Sequence, residues 1–264
     1  MNVAVLCGGV GAARFLRGLL EVVPARDVAA IVNTGDDTEL HGLAISPDLD
    51  TITYTLAGAI DPERGWGLAG ETWRAMEALG RYAAIRPEGS QAASTWFNLG
   101  DQDLATHFYR TARLAEGATL TEVSAEIARA WGLDLALLPM TDDRFRTHVV
   151  LEDGTRVTFQ DYFVRLRHGV PIREVSFDHQ GARLTDPARA AIAGADAVVI
   201  APSNPIVSIG PLRELPGVDA LLAERRESVV AVSPIVGGAA LKGPADRMLV
   251  ELGMEPTVVG VAAL

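Results

Sequence analysis

The fold is decided by the first 33 residues, MNVAVLCGGVGAARFLRGLLEVVPARDVAAIVN (1–33), which hold two apolar stretches separated by glycines and a helical segment. Residues 2–7 are typical of a buried strand, residues 8–11 of a tight turn and residues 12–23 of an amphipathic helix. Residues 28–33 are typical of a second buried strand. A strand, a turn, a helix and a strand form a βαβ unit with parallel strands, so we predict an α/β protein.

The same alternation returns near the C-terminus, where helices are predicted at 187–194, 216–226 and 244–252 and strands at 195–201 and 228–232. Asp186 is the predicted N-cap of the first of these helices, and Pro187 suits its first position. Residues 257–263 form a last apolar run. Both ends of the chain therefore predict a Rossmann-like, doubly wound and mainly parallel sheet.

The middle of the chain has a different pattern, with helices predicted at 70–82, 101–115 and 119–131. Thr119 and Glu122 have the spacing of a capping box, and Asp153-Gly154 lies between two apolar segments, which predicts an antiparallel hairpin. We therefore predict a nucleotide-binding core formed by residues 1–51 and 186–264, with a mixed helical and antiparallel insertion formed by residues 52–185.

Charge and composition exclude several classes of function. The 264 residues include 23 Lys and Arg against 34 Asp and Glu, a net charge of −11, which argues against a nucleic-acid or membrane-surface partner. The apolar runs are far shorter than the ~20 residues of a membrane helix, and no secretory signal pattern is present. A single cysteine, Cys7, suits a reducing cytoplasm, and we expect it to be a small buried residue.

Four unusual loops follow predicted parallel strands, at residues 8–11, 33–37, 202–205 and 233–238. Loops at the carboxyl ends of such strands line the ligand crevice of an open α/β sheet, so together they predict one binding site. The first loop, Gly8-Gly9-Val10-Gly11, suits a phosphate, because its backbone N–H groups can approach an anion closely. Arg14 stands where a dinucleotide fingerprint needs glycine, so a tight strand-to-helix turn is the alternative.

Two of these loops offer neutral hydrogen-bonding groups suited to phosphate, sugar or base edges. Ser203, Asn204 and Ser208 belong to the third loop region, and Ser233 begins the fourth. Three prolines between residues 202 and 211 indicate a rigid turn directly after a buried strand, which favours a ligand loop. The alternative is a polar connection that starts a helix.

Four aspartates are the candidate metal ligands. Asp36 and Asp37 follow the second predicted strand, and Asp48 and Asp50 lie two residues apart, which in an extended segment directs them to the same side. A few carboxylate oxygens suit Mg²⁺, which completes its shell with water and substrate phosphate. We predict a metal site that includes Asp37 or Asp50. The alternatives are that Asp36 is a turn residue and that Asp50 caps a helix starting at Thr51.

Eight segments carry a resemblance to a known family: NTGDD (33–37), SPDLDT (46–51), DPERGWG (61–67), LGDQDLATH (99–107), LPMTDD (138–143), FQDYF (159–163), APSNPIVSIGP (201–211) and SPIVGG (233–238). Together they resemble the 2-phospho-L-lactate transferases, whose bacterial members are called phosphoenolpyruvate transferases and act in biosynthesis of the deazaflavin coenzyme F(420). The resemblance extends from residue 2 to about residue 262.

The resemblance implies a Mg²⁺-assisted transfer of a phospho-linked three-carbon acid, phosphoenolpyruvyl or phospholactyl. The donor is linked to guanosine diphosphate, the acceptor is the ribityl hydroxyl of the deazaflavin Fo, and GMP is released. It also implies that the glycine turn and the Ser203-Asn204 loop surround the nucleotide, that the insertion contributes to the Fo pocket, and that the protein is a homodimer. Asp50, Gln102 and His107 become the candidate acceptor-binding residues, with Asp50 and Asp37 as the catalytic candidates.

The chain departs from the family at Gln102, where members commonly carry an arginine associated with Fo, and members usually continue beyond the position of Leu264.

A competing interpretation is a nucleotide-sugar-binding regulator of the related gluconeogenesis-factor group, which resembles this chain at the glycine turn. The segment from Pro47 to Thr51 favours the transferase. A NAD-dependent oxidoreductase is a third and more distant interpretation because of Arg14.

Overall fold

The computed structural model describes residues 1–264, which form twelve strands and ten α-helices. The strands are β1 (Val3–Cys7), β2 (Val28–Val32), β3 (Thr38–Leu40), β4 (Leu43–Ile45), β5 (Ala136–Pro139), β6 (Arg146–Leu151), β7 (Arg156–Thr158), β8 (Ile172–Asp178), β9 (Ala197–Ile200), β10 (Val229–Ala231), β11 (Ile235–Val236) and β12 (Ala239–Ala240). The helices are α1 (Gly9–Leu19), α2 (Pro47–Leu56), α3 (Arg74–Ala83), α4 (Asp103–Ala115), α5 (Leu120–Ala130), α6 (Asp186–Gly194), α7 (Gly210–Glu214), α8 (Val218–Glu224), α9 (Ala245–Glu251) and α10 (Val258–Ala262).

A five-stranded parallel sheet forms the centre of the protein, in the order β10-β9-β1-β2-β5. All five residues of β1 are buried, because helices cover both faces of the sheet. Val5 and its neighbours pack against α1, α2 and α5 on one face, while Leu6 and Ile31 pack against α6, α7 and α8 on the other. The predicted α/β class with a mainly parallel, doubly wound sheet is confirmed.

Local signals in the sequence place several element ends correctly. The α6 helix ends at Gly194 as predicted but begins at Asp186, one residue earlier than predicted, and the Thr119–Glu122 capping box forms both of its reciprocal hydrogen bonds. The N-cap of α6 is Thr185 rather than Asp186, because the Thr185 hydroxyl accepts the hydrogen bond from the Ala188 backbone amide. The glycine turn is shorter than predicted, since α1 already begins at Gly9.

The middle of the chain is less separate from the sheet than the sequence suggested. β5 lies within residues 52–185, yet it pairs in parallel with β2 as an edge strand of the central sheet. Its four residues are too few to show a strand period. The predicted hairpin is present as β6–β7, and β8 extends it into an antiparallel sheet of order β7-β6-β8. No helix in the protein has the length and apolar character needed to cross a membrane.

Gly11 fixes the distance between α1 and the loop that follows β9. A Cβ atom at Gly11 would lie 2.4 Å from the carbonyl oxygen of Pro202, whereas a Cβ atom at Gly18, in the same helix, would meet no atom within 4 Å. The two glycines therefore differ in surroundings while sharing a helical backbone. They form a matched pair for testing how tightly this end of the sheet is packed.

We predict that Gly11→Ala lowers the free energy of unfolding by about 1–3 kcal/mol, because the added methyl group must separate α1 from the Pro202 backbone. Gly18→Ala should raise it by up to about 1 kcal/mol through helix propensity alone. Urea unfolding followed by circular dichroism measures both changes. Equal effects of the two substitutions would contradict the close packing at Gly11.

Candidate functional site

Three of the four predicted loops meet at the carboxyl edge of the central sheet. The Gly8 backbone amide donates to the Ser203 hydroxyl at 3.1 Å, and that hydroxyl donates to the Gly8 carbonyl at 2.9 Å. The Asn33 side-chain amide donates to Asp48 Oδ2 at 2.9 Å and to the Val207 carbonyl at 3.4 Å. The glycine turn, the loop after β2 and the loop after β9 therefore form one connected surface, as the topology predicted.

The glycine turn is shaped by close approaches that a side chain would block. A Cβ atom at Gly8 would lie 2.5 Å from Asp48 Oδ2, and Gly9 has a φ of +69°. No side chain caps the helix α1, so the first-turn amides of Val10 and Gly11 have no partner within the helix. These donors belong to half-buried residues at a helix N-terminus, where an anion can be bound.

The loop after β9 supports the turn. Ser203 is buried, and both of its hydroxyl contacts are to Gly8. Asn204 Oδ1 accepts from the amides of Ile206 and Val207 at 2.9 and 3.3 Å, and so caps the π-helical turn Pro205–Ile209, as the alternative interpretation of this segment predicted. Ser208 is buried beside Gly8.

In the fourth loop, the Ser233 hydroxyl forms hydrogen bonds only within its own loop segment. Ser233 Oγ accepts from the Ile235 backbone amide at 3.1 Å, within the segment that leads into β11. No hydrogen bond joins the Ser233 side chain to Gly8, Asn33 or Ser203. Of the four predicted nucleotide loops, this one is therefore the least tied to the others.

Asp48 and Asp50 do not lie in an extended segment, because α2 begins at Pro47 and includes both. The N-cap position belongs to Ser46, so the prediction that Asp50 caps a helix is also wrong. Residues two apart in a helix point to different sides, and here Asp48 faces Gly8 while Asp50 faces α4. Burial raises the pKa of Asp48 to about 6, against the opposing effect of the Asn33 amide and the Gly9 backbone amide.

Asp36 and Asp37 carry carboxylate oxygens without partners. Asp36 lies in a turn, as its alternative interpretation predicted, and is buried. Asp37 Oδ2 accepts from the Ser46 hydroxyl at 2.8 Å, whereas Oδ1 of both aspartates is buried with no hydrogen bond. Burial raises the pKa of Asp37 to about 7 and that of Asp36 well above its usual value. Unpaired buried carboxylate oxygens fit a divalent cation, which would supply the missing positive charge.

Asp50 belongs to a different cluster, which sequence analysis missed. Arg110, 1% exposed, directs Nη1 to Asp50 Oδ2 at 3.1 Å and Nη2 to Asp50 Oδ1. His107 stands between two acids, with Nδ1 3.8 Å from Asp50 Oδ2 and Nε2 3.3 Å from Asp103 Oδ2. The only signal in the sequence was the i, i+3 spacing of His107 and Arg110 on one predicted helix.

The four predicted aspartates therefore do not form a single ligand set. The one group of three side chains in the chain that could hold a metal ion is Asp50, Asp103 and His107, with ligand atoms within 4.8 Å of one another. Arg110 already occupies both carboxylate oxygens of Asp50, so a cation there would be opposed by the guanidinium group. Oδ1 of Asp36 and Oδ1 of Asp37, in contrast, have no hydrogen-bond partner.

The other two acceptor candidates differ in access. Gln102 is exposed just before α4 and its side chain makes no hydrogen bond. His107 is 1% exposed, because Asp103, Asp50 and Arg110 enclose it. The Tyr54 hydroxyl donates to Asp103 Oδ1 at 2.6 Å and closes the cluster on the side of α2. Only Gln102 can contact a ligand without a change in packing.

Comparison with known proteins gives a consistent result. The profile of the family described as 2-phospho-L-lactate transferase CofD matches residues 3–262. A phosphoenolpyruvate transferase of Streptomyces coelicolor is 46% identical over 268 residues, 99% of this chain and 81% of the relative. A phosphoenolpyruvate transferase of Mycobacterium avium is 42% identical over 286 residues, 99% of this chain and 82% of the relative.

Solved structures support the fold alone. A crystal structure of a UPF0052 family protein from Bacillus halodurans superposes with a TM-score of 0.56 at 20% identity, over 84% of this chain and 64% of that chain. This chain thus spans just under two thirds of that protein. The sequence match, which covers almost every residue of the sheet and its edge loops, decides the family: the chain belongs to the 2-phospho-L-lactate transferase CofD family of transferases.

Proposed function

We propose that the protein transfers a phospho-linked three-carbon acid, phosphoenolpyruvyl or phospholactyl, from a guanosine diphosphate-linked donor to the ribityl hydroxyl of Fo in coenzyme F(420) biosynthesis. GMP is the second product. The observation that carries this proposal is the 42–46% identity to phosphoenolpyruvate transferases over nearly the whole chain. The surface that joins the glycine turn to the carboxylates at one sheet edge supports it.

The chemistry explains why such a surface is needed. A primary alcohol attacks a diphosphate in line, and negative charge builds up on the phosphoryl oxygens. Positioning and neutralisation of that charge supply most of the rate enhancement in this class of reaction. The amides of Val10 and Gly11 would bind phosphate oxygens, with Ser203 and Ser208 holding the turn behind them.

The carboxylates would divide into two roles. Asp36 and Asp37 would hold Mg²⁺ through their unpaired oxygens, and the ion would neutralise phosphate charge when bound. Asp50 would act on the acceptor side of the site, and Arg110 would fix the orientation of its carboxylate. His107 would contact Asp50 rather than Fo, because its imidazole ring is buried beside that carboxylate. Gln102 would contact Fo at the exposed start of α4.

A turnover assay tests the proposal directly. Purified protein is incubated with Fo, Mg²⁺ and, in separate reactions, a guanosine diphosphate-linked phosphoenolpyruvyl, lactyl or glyceryl acid, and the products are identified by mass spectrometry. The expected result is a phospho-acid adduct of Fo with one equivalent of GMP from at least one donor. Tight binding of a nucleotide-sugar with no turnover of any donor would instead support the gluconeogenesis-factor interpretation.

We predict that Asp37→Asn lowers kcat by at least about a hundredfold and raises the Mg²⁺ concentration for half-maximal rate, because one charged ligand is lost. The matched control is Asp134→Asn, an exposed aspartate without a side-chain hydrogen bond, which should keep wild-type values. Steady-state rates across a Mg²⁺ titration measure both. A normal Mg²⁺ requirement in Asp37→Asn would remove this residue from the metal site.

We also predict a pH dependence of stability that Asp37 causes. Since the pKa of Asp37 is raised to about 7 in the folded protein, the folded state binds this proton more tightly than the unfolded chain. The contribution of Asp37 to the free energy of unfolding is therefore highest below about pH 4 and declines as the pH rises towards 7. Urea unfolding at pH 5, 6.5 and 8 in a chelator should show a smaller decline in Asp37→Asn than in the wild type.

Mg²⁺ provides the control for that measurement. It should restore more stability to the wild type at pH 8 than at pH 5, since it competes with the proton for the same oxygens. In Asp37→Asn the gain from Mg²⁺ should be much smaller. Parallel pH curves for the two proteins would contradict both the shifted pKa and the site.

The buried ion pair gives a further prediction. Asp50→Asn should lower the free energy of unfolding by about 3–5 kcal/mol, because it leaves the Arg110 charge buried and unpaired. The double variant Asp50→Asn with Arg110→Met should recover much of that loss. Asp219→Asn, which breaks the exposed pair with Arg213, is the control and should cost less than about 1 kcal/mol. Urea unfolding measures the free energy of unfolding of each variant. An equal loss of that free energy in the single and the double variant would contradict the pairing of Asp50 with Arg110.

A further inference from the structure

Lys242 is the only lysine in a chain that contains 22 arginines. It lies just after β12, in the segment that continues from the fourth edge loop, and its side chain is exposed. It forms no salt bridge and no side-chain hydrogen bond, although the net charge of the protein is −11. Nothing in the reaction scheme described so far uses this ammonium group.

The position of Lys242 is defined by Gly65. A Cβ atom at Gly65 would lie 2.9 Å from Lys242 Nζ and 3.9 Å from Val10 Cγ1, so the ammonium group and the second residue of α1 flank the same glycine. Gly65 also has a φ of +76°, a conformation that other residues rarely adopt. The ammonium group therefore lies close to the start of α1, in space that a side chain at residue 65 would compete for.

Arg64 holds that glycine in place. Its Nη2 donates to the Leu68 carbonyl at 2.9 Å and to Glu71 Oε1 at 3.0 Å, and its guanidinium carbon stacks 5.3 and 4.9 Å from the ring centres of Trp66 and Trp73. These contacts join Arg64 to Trp66, Leu68, Glu71 and Trp73 within and beside the segment 61–71. They give a structural reason for the DPERGWG segment that the family resemblance singled out.

Unpaired polar groups at the same edge indicate a missing ligand. Thr34, 3% exposed, and Asp36, 6% exposed, each carry a buried side-chain oxygen without a hydrogen bond. They follow Asn33, whose Cβ lies 3.1 Å from the Cβ position of Gly8, so they adjoin the glycine turn. An anion bound at the start of α1 would have the Asp48 carboxylate nearby, since Asp48 Oδ1 lies 3.6 Å from the Cβ position of Gly9, and would need a cation to balance that charge.

We propose that Lys242 binds the diphosphate of the guanosine diphosphate-linked donor at the start of α1, approaching from the side of Gly65. The identity of the nucleotide rests on the proposed function, whereas the placement of the cation rests on Gly65, Val10 and Arg64. A lysine suits this task because its ammonium is a compact charge on a flexible stem, able to follow a phosphate through the reaction.

The single lysine allows a specific experiment. Reductive methylation with ¹³C-formaldehyde labels only Lys242 and the N-terminal amine, and keeps the charge of both. The Lys242 methyl resonance should shift on addition of GDP and not on addition of guanosine. Lys242→Met should weaken GDP binding about tenfold or more by calorimetry, with Fo binding and melting temperature unchanged. Arg129→Met, which removes an exposed charge on α5, should leave GDP binding as it is.

The outcomes separate this inference from the proposed function. If GDP binds with unchanged affinity to Lys242→Met and does not shift the methyl resonance, the role of Lys242 is wrong while the transferase proposal stands. If GDP does not bind the wild type and no donor is turned over, both are wrong. Equal weakening by Arg129→Met would mean that only net charge matters, and would also overturn the assignment.

Discussion

The absence of a side chain at Gly8 is the constraint on which the site depends. A Cβ atom there would lie 2.5 Å from Asp48 Oδ2, 3.0 Å from Ser208 Cβ and 3.1 Å from Asn33 Cβ. Side chains from the helix α2, the π-helical turn after β9 and the loop after β2 therefore converge on one backbone position, at the end of the central strand of the sheet. The helix α1 starts at that point with amides that have no partner within the helix, so the same close approach also shapes the position at which we propose that an anion binds.

A buried ion pair then connects this edge to the middle of the chain. Asp50 belongs to α2, which packs on α1, and Arg110 belongs to α4. Because both charges are almost fully buried, the pair specifies one arrangement of α4 against the core, and separating it would leave two unpaired charges. His107, Asp103 and Tyr54 extend the network along the same interface.

The sequence predicted the elements whose signal lies in a few neighbouring residues. It failed for features that depend on contacts between distant parts of the chain. The apolar runs of β1 and β2, the α6 helix and the Thr119 capping box all carry their signal within a few residues. β5 was missed because four apolar residues have no recognisable period. The direction of the Asp50 side chain was missed because the sequence Ser46-Pro47-Asp48 is compatible with an extended segment as well as with a helix start. Packing against α1 and α4 selects the helix, which begins at Pro47.

The sequence predicted where in the fold the candidate site lies, but it did not predict which partners each side chain in the site has. Parallel topology alone brings the ends of β1, β2 and β9 together, so their loops had to meet. Which carboxylates remain free depends on partners far away in the chain: Asp50 is paired by a residue 60 positions later, while Asp36 and Asp37 keep unpaired oxygens. For the diphosphate substrate that we propose, an unpaired carboxylate would repel the substrate once it ionises, whereas the charge of Asp50 is already balanced by Arg110. The unpaired acids are therefore the ones that we propose to meet a cation.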